Sequence, residues 1–103
     1  EMNVDAQIDY EWERIPHFYT PFYVYQYATG FSAAVAISSR IMKGEEGALE
    51  GYKKFLSGGC SMTPIELLRL CGVDMSTTRP VDEALGFFGE LIEEFKKCIH
   101  TNE

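Results

Sequence analysis

A chain of 103 residues with 46% hydrophobic and 24% charged residues supports one soluble helical or mixed unit and no disordered protein. Its formal charge of −7 excludes nucleic acid as a partner, because phosphate binding needs clustered Lys and Arg. The three cysteines, Cys60, Cys71 and Cys98, are odd in number and lack CxxC spacing, which points to free thiols in a reducing compartment.

Residues 1 to 15 are polar, and Ile8, Tyr10 and Trp12 alternate as in a short extended segment. No signal peptide is visible, and the chain opens on Glu with Met2 behind it, which suggests a segment of a longer protein. Pro16 and Pro21 disfavour helix before position 21. Thr20 then reads as an N-cap, with Pro21 in the first turn.

From Pro21 to Lys43 the pattern predicts one long helix of roughly 35 Å at its per-residue rise, buried on more than one side. Its centre, Gly30 to Ala36, is rich in small residues that permit close approach of a neighbouring helix. The apolar run Phe22 to Ile37 is interrupted by Gln26, Thr29, Gly30 and Ser32 and falls short of the ~20 residues a membrane span needs. No membrane partner is expected.

Gly44 stops that helix. A second runs over about 45–56, with Ala48, Leu49, Tyr52, Phe55 and Leu56 on one stripe. Thr63-Pro64-Ile65-Glu66 forms a capping box and starts a third, about 64–71, which ends at Gly72. A fourth covers about 81–99 with Ala84, Leu85, Phe88, Leu91, Ile92, Phe95 and Ile99 on its apolar face. The fold class is all-α, about four helices behind an irregular or short extended N-terminal segment.

The stretch Pro16 to Gly30 holds four of the six tyrosines, Tyr19, Tyr23, Tyr25 and Tyr27, and one of the two histidines, His17. Each buried phenol needs a hydrogen-bond partner, so a core seldom chooses tyrosine so often. Two readings stand: an aromatic helix whose hydroxyls bond to neighbouring backbone, or a surface of donors for a carbonyl that becomes an oxyanion. Helix geometry keeps all the tyrosines from one site, since Tyr23 and Tyr27 share a face that Tyr25 does not. His100 and Glu103 are spaced as two metal ligands at a helix end, too few for a site. There is no GxSxG, HExxH or phosphate loop, so no self-sufficient active site can be assembled.

Ile15-Pro16-His17-Phe18-Tyr19, then Phe22-Tyr23-Val24-Tyr25-Gln26-Tyr27-Ala28-Thr29-Gly30-Phe31-Ser32-Ala33-Ala34, resembles the C-terminal part of oligoendopeptidase F, a thimet-oligopeptidase-like zinc metallopeptidase. The resemblance continues through Tyr52-Lys53-Lys54-Phe55-Leu56-Ser57-Gly58-Gly59, Pro64-Ile65-Glu66-Leu67-Leu68 and Gly72-Val73-Asp74-Met75. It implies a cytoplasmic peptidase that cleaves short peptides in a channel, with zinc held by HExxH and a downstream glutamate. None of those ligands is present, so the chain on its own is expected to bind no zinc and to be inactive. The resemblance further implies that residues 1–103 form a single C-terminal helical segment of a larger catalytic domain. Its partners would be the rest of that domain and a short peptide substrate. His17 matches the family's transition-state histidine. Tyr25 is assigned as the second oxyanion donor, and Tyr19, Tyr23 and Tyr27 as substrate contacts. The alternatives are a stand-alone helical interaction module, whose exposed aromatics would favour self-association, or a separately encoded subunit of a split peptidase.

Overall fold

The computed structural model describes residues 3–100, the side chain of His100 excepted. Two 3-10 helices, Ala6–Arg14 and Pro16–Tyr19, precede four α-helices. These are α1 (Tyr25–Met42), α2 (Ala48–Gly58), α3 (Pro64–Leu70) and α4 (Arg79–His100). No strand occurs among the described residues, so the all-α expectation holds.

The expected extended segment is a 3-10 helix instead. Asp5 caps it, its carboxylate accepting from the Gln7 amide at 3.0 Å. Ile8, Tyr10 and Trp12 are all exposed, so their alternation has no sheet face to serve. The long helix also begins four residues later than its pattern suggests. Phe22 sits at φ 58, the left-handed region, which no helical turn can include. Thr20 accordingly closes the second 3-10 helix, its amide donating to the His17 carbonyl at 3.2 Å, rather than capping α1.

The remaining ends follow local chemistry. α1 stops before Gly44 (φ 67), and Gly47 (φ 76) delays the start of α2 to Ala48. The capping box forms as expected: Thr63 Oγ1 accepts from the Glu66 amide at 3.4 Å, and Glu66 Oε2 accepts from the Thr63 amide at 2.9 Å. α4 starts at Arg79, since Pro80 is tolerated in a first turn whose amides have no helical partner.

The core is small. Ala33, Ala36 and Ile37 of α1 meet Cys71 and Val73, with Ile41, Tyr52, Phe55, Leu68 and Met75 packed around them. The expectation that α1 is buried on several sides is corrected: full burial is confined to the stripe through Ser32, Ala33, Ala36 and Ile37, and Tyr25, Tyr27, Phe31 and Met42 are exposed. α1 packs most extensively on α4, and α2 on α3. At Gly51 a Cβ would collide with the Leu70 carbonyl oxygen, so glycine sets the α2–α3 approach. Cys71 seals that contact, its thiol donating to the Gly51 carbonyl at 3.7 Å.

The surface is large for the mass. A compact monomer of 11.7 kDa exposes about 5900 Å², whereas this chain exposes 8616 Å². Its radius of gyration of 18.2 Å likewise exceeds the ~13 Å of a compact domain this long. Helix faces that read as apolar in the sequence are therefore open, most of all on α4.

Candidate functional site

The site grows from the break before α1. The second 3-10 helix presents His17, the left-handed Phe22 turns the chain, and Tyr23 and Val24 lead into the first turn of α1. That reversal lays the His17 ring on the Tyr23 ring, 5.2 Å between centroids and 12° from parallel. One helical turn later, Tyr27 meets the edge of Tyr23 at 5.9 Å and 74°. Its hydroxyl donates to the Tyr23 hydroxyl at 3.5 Å. Donating that proton to Tyr23 raises the Tyr27 phenol above its ordinary value, and the charge of Tyr23 adds to the effect.

Not every sequence-assigned residue joins this cluster. Tyr19 donates to the Glu13 carbonyl at 2.8 Å and ties the two 3-10 helices together. Tyr25 lies about 200° around the helix from Tyr27 at ~100° per residue. There it lines an open groove of about 1200 Å³ that runs along α1 toward α2 and α3. His17, Tyr23 and Tyr27 are thus brought together, while Tyr19 and Tyr25 face elsewhere. The His100–Glu103 pair lies outside the described residues.

The groove was not legible in the sequence. Thr29, Ala33, Ile37, Phe55, Leu68 and Met75 contribute to it. The signal was the small-residue run of α1, which reads as a close helix contact. Gly30 in fact has nothing within 4 Å of where a Cβ would stand, so there the run opens the groove rather than admitting a neighbour.

The chemistry of the cluster is hydrogen-bond donation. An imidazole and two phenols, all reachable from solvent, can donate to a peptide carbonyl and stabilise negative charge on it. Among the described residues no three of His, Cys, Asp and Glu gather as metal ligands. One imidazole and two phenols do not make the ligand set of a resident zinc. Cys60 and Cys98 are exposed; Cys71 is buried, and that burial pushes its thiol up.

The family model described as "Peptidase family M3" matches residues 2–87, which include the whole cluster. The chain belongs to peptidase family M3. It is 46% identical over 98 residues to "Oligopeptidase PepF" of Bacillus subtilis, covering 95% of this chain and 15% of that protein. It is 41% identical over 95 residues to the plasmid-encoded "Oligoendopeptidase F" of Lactococcus lactis subsp. cremoris, 92% of this chain and 16% of the relative. An "Oligoendopeptidase F homolog" of Borreliella burgdorferi is 45% identical over 84 residues, 82% of this chain and 14% of the relative. The chain thus spans about one sixth of the length of these M3 relatives. No solved structure matches it at a significant level. No helix among the described residues is long and apolar enough to cross a membrane.

Proposed function

We propose that this chain is the C-terminal helical part of the catalytic domain of a cytoplasmic oligoendopeptidase that cleaves short peptides. In this reading it supplies hydrogen-bond donors to the bound peptide, and the zinc of the family is held by other residues of the intact enzyme. His17 and Tyr25 donate to the scissile carbonyl as it becomes an oxyanion. Tyr19, Tyr23 and Tyr27 contact the peptide, and Tyr23 also fixes the plane of the His17 ring.

The observation that carries this reading is the M3 match across residues 2–87, which spans all five of these side chains. The excess apolar surface supports it too: the remainder of the domain would cover the groove beside α1.

The test is made in an active peptidase that contains this segment. Removing an oxyanion donor commonly lowers kcat ~10²-fold or more, so His17→Ala is expected to do so. An unchanged kcat overturns the role given to His17. An immunoblot of source-cell extract tests the larger claim. A band several-fold heavier than 11.7 kDa supports the peptidase domain, and a band at the mass of the chain overturns it.

A further inference from the structure

His17 stands on a 3-10 helix of four residues, Pro16–Tyr19, that buries none of them. The nine-residue 3-10 helix before it, Ala6–Arg14, buries none either. Packing inside the chain therefore does not hold these two helices against each other. Local bonding is weak as well, since 3-10 hydrogen bonds have poorer geometry than α-helical ones and seldom sustain runs beyond three or four residues.

Between the helices Ile15 is extended, at φ −92 and ψ 105. Its amide closes the first helix on the Trp12 carbonyl at 3.1 Å, and its carbonyl opens the second by accepting from the Phe18 amide at 3.2 Å. Each bond belongs to one helix, so neither fixes the angle between them. Pro16 keeps Ile15 extended but leaves it about ±40° of φ. A swing of that size moves a point two residues away by roughly 3 Å. Misplacement by ~1 Å is enough to cost a reaction ~10²-fold.

One side-chain bond spans the joint. The Tyr19 hydroxyl donates to the Glu13 carbonyl at 2.8 Å, from the last residue of the second helix to the last but one of the first. That proton is committed, so the hydroxyl has none to give a substrate carbonyl, whatever the ring contributes to peptide contact. The Tyr23 stack has a different effect. It sets the tilt of the imidazole, but stacked rings tolerate centroid separations from about 4.5 to about 7 Å, so it opposes sliding weakly.

We propose that Tyr19 is a positioning residue: through the Glu13 carbonyl it locks the joint at Ile15 and so fixes where the His17 imidazole stands. This inference deepens the proposed function and rests on its reading of His17 as a donor to the scissile carbonyl. The Tyr19 hydroxyl acts on the reaction through His17.

The test is made in the intact, active peptidase with Tyr19→Phe, which removes the hydroxyl and keeps the ring. The kcat should fall about tenfold with KM within about twofold of the parent, because a transition-state donor is displaced and peptide binding is not. In a His17→Ala background the same change should lower kcat less than about twofold, since the group it positions is gone. Without substrate, the amides of residues 6–14 should exchange hydrogen about fivefold faster in Tyr19→Phe than in the parent. A KM that rises while kcat holds would make the hydroxyl a peptide contact and overturn the proposal. A tenfold loss that persists without His17 overturns it too, being the mark of a general loss of folded enzyme, and so does unchanged exchange. If His17→Ala alone leaves kcat unchanged, the donor reading fails and this inference falls with it. A loss in His17→Ala with none in Tyr19→Phe removes the positioning role and leaves that reading intact.

Discussion

Arg40 Nη1 donates to the Gly72 carbonyl at 2.6 Å, joining the end of α1 to the turn after α3 across 32 positions of sequence. Gly72 meets two demands there. Its φ of +72 is left-handed, and a Cβ at this point would run into the Arg40 guanidinium. Gly72→Ala should therefore destabilise the chain by about 1–3 kcal/mol, from backbone strain and the displaced arginine together. Urea unfolding followed by circular dichroism measures it. A loss under about half a kcal/mol would mean that the arginine moves aside freely and the bond contributes little.

Two other glycines should respond with opposite signs. Gly51→Ala drives a methyl into the Leu70 carbonyl, a backbone atom that cannot rotate away. That separates α2 from α3 and is expected to cost about 1–3 kcal/mol. Gly30 sits inside α1 with open space around it. Gly30→Ala should stabilise by about 0.5–1 kcal/mol through helix propensity alone. The same urea experiment reads both, and equal signs would overturn the packing assigned to Gly51.

The sequence was readable where the physics is local. The Thr63–Glu66 box and the Gly44 and Gly72 stops depend on residues a few positions apart, and they appear; of the α2 stripe Ala48, Tyr52 and Phe55 are covered, while Leu49 and Leu56 are exposed. The start of α1 was not readable. A pattern of apolar residues cannot reveal that Phe22 takes a left-handed φ, a conformation rare outside Gly and Asn. The N-terminal alternation misled for a related reason, since period two implies a strand only where a sheet receives it. In the site, the shared face of Tyr23 and Tyr27 followed from helix spacing. The stacking of His17 on Tyr23 did not, because it depends on the chain reversal at Phe22. The apolar face of α4 was legible, but hydrophobic periodicity says which face is apolar and nothing about what covers it.

Asp74 gives a pH signature. The Ser76 hydroxyl and amide donate to its carboxylate at 2.6 and 3.0 Å, and Arg69 lies beside it at 3.2 Å. Those bonds, the Ser76 hydroxyl first, lower its pKa from 3.8 to about 2. A depressed carboxylate contributes stability that is complete above its unfolded value and is lost as pH falls through the folded value. Parent chain stability should thus decline between about pH 4 and about pH 2, and Asp74→Asn should flatten that part of the curve. Urea midpoints across the window check it; matching slopes in the two proteins would remove Asp74 as the source.

The cluster makes a sharper demand on catalysis. The Tyr23 ring lies flat on His17, so two properties of Tyr23 can be separated: its ring orients the imidazole, and its hydroxyl accepts from Tyr27. In the intact peptidase Tyr23→Phe keeps the ring and should lower kcat less than about tenfold, whereas Tyr23→Ala should approach the ~10²-fold loss of His17→Ala. Tyr25→Phe should lower kcat by a similar ~10²-fold if that phenol donates to the oxyanion. Tyr25 stands on the opposite side of the helix, so the comparison also tests its assignment. A large loss in Tyr23→Phe with an unchanged Tyr25→Phe would move the donor role to Tyr23. Spectrophotometric titration supplies a readout without substrate. Tyr27 should ionise above the ordinary phenol range in the parent, and Tyr23→Phe should bring it back, because the acceptor that holds its proton is gone.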